Sequence, residues 1–398
     1  MRSASAPFPV LFFASAAHGL HHVLLTLYLT LVLVIAPQWR LPYNDLVALW
    51  TLGAMLVGLG APFAGWLADR IGETKVLVLC FFGLGASAIL CGLARNTLQM
   101  EAALALLGLS GSIYHPVGFS WVVKHASRRG RAIAISGVAG SIGVALGPVI
   151  AGGLATLAGW RTAFLLPGAV TISVGALLLA FHLMGRIVDR AEDSTPVDHN
   201  PSRADVTRTF AVMALTMTIT LIVYSAFGTA LPKLVELSHM AGARGLFAIG
   251  LIAGAIQLAG ASAQFVGGHF ADRGAAKRAY ISAFVALAAV FPILAYSSGW
   301  GVAAAAIAVV FVFESIAPVE TMFLARYTPA ARRGLVFGVR YGLATIGTPA
   351  GVWLVARLYN TQAHFLYLLI ALAALAAIGT FAALALPSDR KPAMMPAE

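Results

Sequence analysis

This 398-residue chain is predicted to be an all-α integral membrane protein of twelve helices in two pseudosymmetric bundles of six. Three observations predict it. Hydrophobic residues make up 60% of the chain and charged residues 10%, with a mean hydropathy of +0.88, whereas soluble domains carry about 25% charge. Apolar runs of about 20 residues, enough to cross the hydrocarbon core of a bilayer, recur twelve times. The chain also repeats itself: Gly65-Trp66-Leu67-Ala68-Asp69-Arg70 returns 203 residues later as Gly268-His269-Phe270-Ala271-Asp272-Arg273. Arg128-Arg129-Gly130 returns at nearly the same offset as Arg332-Arg333-Gly334. Two echoes at one offset mean a tandem duplication, each copy filling half the chain.

In chain order the apolar runs cover residues 8–35, 46–68, 75–94, 98–123, 132–158 and 162–185, then 208–232, 246–270, 279–298, 301–325, 335–358 and 363–386. Residues 1–186 are therefore expected to form one bundle and residues 208–398 the other. The first run is too long for the apolar core of a secretory leader and lacks a strongly basic segment before it, so it reads as a retained helix. Cys80 and Cys91 share the third run, which indicates neither a disulfide framework nor a thiolate metal site. Residues 187–207 hold Pro196, Pro201 and five acidic residues, the composition of a flexible linker. No segment is large enough for a soluble catalytic domain, and no Gly-x-x-x-x-Gly-Lys-Ser/Thr phosphate loop occurs. An enzyme, a bound cofactor and ATP as energy source are accordingly not expected.

The net charge of +11 comes from 26 basic and 15 acidic residues. With both termini placed in the cytoplasm, 20 of the 26 basic residues fall on the inner side, and Arg40, Arg95, Arg161, Lys233, Arg244 and Arg357 fall outside. The positive-inside rule sets this topology. Short basic clusters at helix ends, such as Lys124 with Arg128, Arg129 and Arg131, read as contacts to lipid headgroups rather than to nucleic acid. The expected location is the bacterial inner membrane, as a monomer.

Gly65-Trp66-Leu67-Ala68-Asp69-Arg70-Ile71-Gly72-Glu73-Thr74-Lys75 resembles the signature that the major facilitator superfamily carries between its second and third helices, with Glu73 at its second basic position. The turn needs Gly72, Asp69 can cap a helix and pair across the seam between halves, and Arg70 and Lys75 stay at the headgroups. The resemblance implies a conformational latch built from Gly65, Asp69, Arg70, Gly72 and Lys75, with Asp272 and Arg273 in the second copy. In the fifth run, Gly143, Gly147, Pro148 and Gly152 have the spacing that lets membrane helices approach closely. They also resemble the motif of proton-driven antiporters of that superfamily, which implies export. Tyr114-His115-Pro116 with His18-Gly19-Leu20-His21-His22 resembles the fosmidomycin-resistance branch, departing from it at His22 and Val117, where the branch carries acidic residues.

Ionisable groups at membrane depth are costly and so point to function. His18 and His22 stand one turn apart on one helix face, and His115 joins them from the fourth run. The tenth run supplies Glu314 and Glu320, and the eleventh Arg340, the default partner of Glu320. The duplication aligns Glu320 with Pro116, beside the counterpart of His115. A carboxyl in apolar surroundings tends to hold its proton, so Glu314, with His18 and His22, is the candidate for proton coupling. Tyr28, Tyr114, Tyr224, His115, Glu320 and Arg340 are candidates for the wall of a substrate cavity between the halves. These residues support proton-coupled export of a small organic molecule. The alternative is a transition-metal ion bound by His18, His22 and His115 with Met213 and Met217, a methionine pair at i, i+4, as soft ligands.

Overall fold

The computed structural model describes residues 8–126, 129–189, 203–240, 244–272, 275–327 and 333–387. Among these residues fifteen helices build twelve spans. They are α1 (Phe8–Trp39), α2 (Tyr43–Ala48), α3 (Trp50–Ile71), α4 (Glu73–Leu93), α5 (Thr97–Gly111), α6 (Tyr114–His125), α7 (Arg129–Ala158) and α8 (Trp160–Leu183). The second half continues with α9 (Arg203–Leu237), α10 (Leu246–Ala261), α11 (Ala263–Asp272), α12 (Ala276–Ala295), α13 (Trp300–Tyr327), α14 (Arg333–Leu358) and α15 (Leu366–Leu384).

Three spans are each broken in two, at Leu49, at Ser112-Ile113 and at Ser262. At two of the breaks a serine hydroxyl donates back to its own helix, Ser112 Oγ to the Leu109 carbonyl (2.6 Å) and Ser262 Oγ to the Ala259 carbonyl (2.9 Å). Such bonds compete with the regular backbone ladder and bend the helix. The seventh span begins earlier than expected: α9 starts at Arg203, so helix extends into the segment read as linker, of which residues 190–202 lie outside the described residues.

The helices form two bundles of six spans. In the first, α1 packs on α7 and α4 on α8; in the second, α9 packs on α14 and α12 on α15. The bundles join through α7 against α10 and α3 against α14, which the duplication makes counterparts. The α7–α10 seam is a backbone contact. A Cβ at Gly250 would stand 2.1 Å from the Pro148 carbonyl oxygen, and one at Gly254 2.4 Å from that of Ala145. Only glycine admits this approach.

Other contacts between the halves lie at the same end of the molecule, away from the repeated motif. Tyr43 donates to the Thr229 carbonyl (3.5 Å), sets its ring edge-on to Tyr359 (5.0 Å between centroids) and lies under the Lys233 ammonium. At the motif end a Cβ built at Gly65 or Gly137 meets nothing within 4 Å among the described residues.

The motif turn itself is tightly made. Gly72 has φ +95°, a conformation that other residues rarely adopt, and it lets α4 start immediately after α3. Glu73 is buried, 2.7 Å from the Lys124 ammonium, and accepts a hydrogen bond from Ser120 Oγ (2.7 Å). Lys124, read from sequence as a headgroup contact, is thus the ion-pair partner of the residue that replaces the motif's second basic position. Asp189 accepts from the backbone N and the hydroxyl of Thr74 (3.2 and 2.5 Å), fixing the exit of the first bundle to the start of α4.

Two outcomes test this packing. Breaking a buried ion pair strands a charge and costs about 3–5 kcal/mol, less where one partner is 17% exposed as Lys124 is. Glu73→Ala and Lys124→Ala should each lower the unfolding midpoint in detergent, and the double variant should lose clearly less than the sum of the two; additive losses would show that the pair is not coupled. Gly250→Ala should lower the midpoint by an amount equivalent to about 1–3 kcal/mol, whereas Gly137→Ala should stay within about 0.5 kcal/mol of the parent.

Candidate functional site

The site is assembled where the two bundles face each other. In α1, His18 and His22 are one turn apart and their ring centroids lie 4.9 Å from each other. The break before α6 puts Tyr114 and His115 in its first turn, against α1. The Tyr114 ring stacks on His18 at 4.5 Å, and the His115 ring lies 5.3 Å from His18 and 5.5 Å from His22. One nitrogen from each of His18, His22 and His115 falls within 4.8 Å of the others. Phe119 covers the group, 5.4 Å from His18 and 5.8 Å from His115.

His18 is held from behind. Its Nδ1 lies 2.7 Å from the Ser136 carbonyl oxygen, which can only accept, so Nδ1 carries the proton and Nε2 keeps the lone pair. The Tyr114 hydroxyl donates to the Ala14 carbonyl (3.1 Å) and lies 2.8 Å from Ser136 Oγ. Gly140 lies beside the ring, where a Cβ would stand 2.5 Å from Nε2. His21, buried on the neighbouring face of α1, has its ring 4.7 Å from His22 and 5.1 Å from His115.

The second bundle supplies carboxylates. Glu320 on α13 is buried and accepts from the Tyr280 hydroxyl (3.0 Å), which also lies 2.9 Å from Thr216 Oγ1. Glu314, almost two turns earlier on α13, lines two adjoining cavities together with Tyr224 of α9. The smaller, about 200 Å³, is also lined by His18, His22, Gly140 and Gln257. The larger, about 480 Å³, is also lined by His115, Phe119, Met217, Thr220 and Glu320. Sharing Glu314 and Tyr224, the two make one space whose imidazoles come from one half and whose carboxylates come from the other.

Most of the residues chosen from sequence converge here, and some do different work. Tyr28 is buried and donates to the Leu46 carbonyl (2.6 Å); it ties α1 to α2 and is a packing residue. Tyr114 is fully buried and supports His18 from behind. Met217 lines the larger cavity, whereas Met213 is buried beside the Thr216 turn. A Cβ at Gly143 or Gly147 would strike α1, at the Gly19 carbonyl or the Thr26 side chain, and one at Gly152 would strike the Leu246 carbonyl of α10. The helix 5 glycines therefore pack α7 both within its own half and across the seam, and Pro148 supplies the carbonyl that Gly250 meets. Asp69, Arg70 and Lys75 are exposed, with the Arg70 guanidinium 4.7 Å from the Trp66 ring. The side chains of Asp272 and Arg340, and Arg273 altogether, lie outside the described residues. Sequence reasoning missed Ser136, Gln257, Thr216 and Tyr280; their one signal is a hydrogen-bonding group inside an otherwise apolar run.

Chemically, this space can exchange protons at imidazole and carboxyl groups, hold a cation, and cover the apolar body of an organic molecule with Phe119, Tyr224 and Phe313. The larger cavity, about 480 Å³, is in the range of small-molecule sites.

Comparison with known proteins places the chain in a family. The model of the Major Facilitator Superfamily matches residues 8–317 and 213–397. The chain is 30% identical over 157 residues to a multidrug resistance protein B homolog of Mycobacterium tuberculosis, a stretch covering 38% of this chain and 28% of that protein. It is 32% identical over 161 residues to the multidrug resistance protein MdtG of Yersinia enterocolitica, covering 40% of this chain and 38% of the relative. The matched stretches thus span well under half the length of these relatives. Among solved structures, a bacterial homolog of the human lysosomal transporter Spinster, in an inward-facing and unoccupied conformation, shares the fold with a TM-score of 0.67 at 16% identity, over 95% of this chain and 94% of that one. The human organic anion transporter MFSD10 does so with a TM-score of 0.67 at 17% identity, over 94% of this chain and 98% of that one. With its twelve apolar spans in two duplicated bundles and a family match along almost its whole length, this integral membrane protein belongs to the Major Facilitator Superfamily.

Proposed function

We propose that the protein is a secondary transporter that exports a small organic, drug-like molecule in exchange for protons, by exposing the central cavity alternately to the two sides of the membrane. The observation that carries this reading is the shared lining: Glu314 and Tyr224 of the second half close both lobes of a cavity whose other wall is His18, His22 and His115 of the first half. A proton-binding group that faces the opposite bundle changes its surroundings whenever the bundles rock, and that is what coupling requires. The names of the matched relatives, multidrug resistance proteins, support a drug-like cargo.

In this reading residues 1–186 and 208–398 move as two bodies joined by residues 187–207. The termini and the motif turn face the cytoplasm of a bacterial inner membrane, as the distribution of basic residues favours. The contacts around Tyr43 and along α7–α10 then close the outer side. Asp69 is exposed in the motif turn, and in this reading it engages the second half when the motif end closes. A metal ion as cargo draws no support from the relatives, and of the two methionines Met217 alone lines the cavity.

Glu314→Gln should abolish substrate accumulation driven by a proton gradient in proteoliposomes, by at least about tenfold, while substrate binding persists, since the amide mimics the protonated carboxyl. Normal gradient-driven transport in that variant would remove Glu314 from coupling. Asp69→Asn should slow transport several-fold with unchanged expression and unfolding midpoint, because it weakens only the state closed at the motif end. Unaltered transport kinetics would leave the motif as a structural turn.

A further inference from the structure

We propose that His18, His22 and His115 form a binding site for a divalent transition-metal ion of the zinc, nickel and cobalt class, set in the wall of the central cavity, and that an ion bound there stops transport. The binding stands on the geometry alone; the block of transport rests on the reading of this cavity as the transport path.

The donor set is three imidazoles from two helices, each offering one nitrogen within 4.8 Å of the other two. Imidazole donors suit zinc, nickel and copper, whereas magnesium and calcium take oxygen ligands. Tetrahedral ligands at about 2.1 Å from one ion stand about 3.4 Å apart. The rings therefore need to close by at most about 1.4 Å, which side-chain rotation supplies.

The site also has the support that metal-binding histidines use. The Nδ1–H of His18 donates to the Ser136 carbonyl at 2.7 Å, which orients the ring and leaves the lone pair on Nε2, beside Gly140. Ser136 is held in turn by Tyr114, whose ring stacks on His18. A fourth imidazole, His21, adjoins the group with a buried Nδ1 that has no hydrogen-bond partner among the described residues. Three protein ligands leave a coordination position open, as in zinc sites that bind an exchangeable ligand. His18 and His22 share their cavity with Glu314 across the seam. An ion held there would occupy the nitrogens that otherwise take protons and would set a fixed charge opposite the carboxylate.

The test uses the tag-free, full-length protein in detergent. Titration calorimetry with zinc and nickel should show one ion per chain, with affinity at least about tenfold weaker in His22→Ala and in His115→Ala. Cobalt bound to the parent protein should give the intense visible absorption of a tetrahedral nitrogen site, a readout that needs no variant. Because imidazole must be unprotonated to ligate, affinity should fall as the pH is lowered. The other titratable groups facing the cluster are His21 on α1, Tyr114 on α6, Tyr224 on α9 and Glu314 on α13. In proteoliposomes that transport a drug-like substrate, saturating zinc should suppress transport in the parent and spare it in whichever histidine variant remains active.

Zinc that binds no better than magnesium, or binds equally well to the variants, would overturn the site. Binding without loss of transport, or accumulation of zinc itself, would overturn the inhibitory role. If no drug-like substrate is transported at all, the transport reading fails while calorimetry and the cobalt spectrum still decide the site.

Discussion

A bilayer core offers no hydrogen bonds, and the polar groups within the described spans are placed by that constraint. Hydroxyl groups along the spans are satisfied mostly within their own helices: Thr26, Thr156, Thr171, Thr218 and Thr380 each donate to the carbonyl one turn back. Three of the polar groups that reach other helices, His18 to Ser136, Tyr114 to Ala14 and Tyr280 to Glu320, do so inside a bundle, and Tyr43 reaches Thr229 across the seam. Because lipid cannot accept these groups, the interior collects them, and imidazoles and carboxylates line the space between the bundles.

The same solvent dictates how the bundles touch. Lipid tails are as apolar as leucine, so association depends on close approach rather than on hydrophobic burial. Along α7 the glycines serve two neighbours, Gly143 and Gly147 against α1 and Gly152 against α10. The first contacts make the half rigid. The seam contact is carried by Gly250 and Gly254 on the other side.

Hydropathy made the twelve spans legible, because a run of about 20 apolar residues has few other uses. It could not show the breaks at Leu49, Ser112-Ile113 and Ser262, since each leaves the apolar character intact; at the latter two a single hydroxyl bonds back into the helix. The histidine group was readable from the spacing of His18 and His22 and from His115 in the fourth run, and the structure brings one nitrogen of each within 4.8 Å of the others. Glu73 was readable only as a departure from a motif. Its partner Lys124 lies 51 residues away and looked like any basic residue at a helix end. Tyr28 misled because an aromatic ring with a polar tip suits a cavity wall and a buried carbonyl equally well.

Duplication explains why the site is asymmetric. Aligning the two copies puts Glu320 at the position of Pro116, next to the counterpart of His115, so helices at one register carry an imidazole in one half and a carboxylate in the other. Had both halves kept the same group, like charges would have faced each other across the seam and disfavoured the closed cavity when ionised. With the two chemistries divided between the halves, a proton or cation arriving on either wall changes the attraction between the bundles, and the seam can sense what occupies it. A duplicated scaffold supplies the matched depth, and divergence at single positions supplies the difference in chemistry between the two walls.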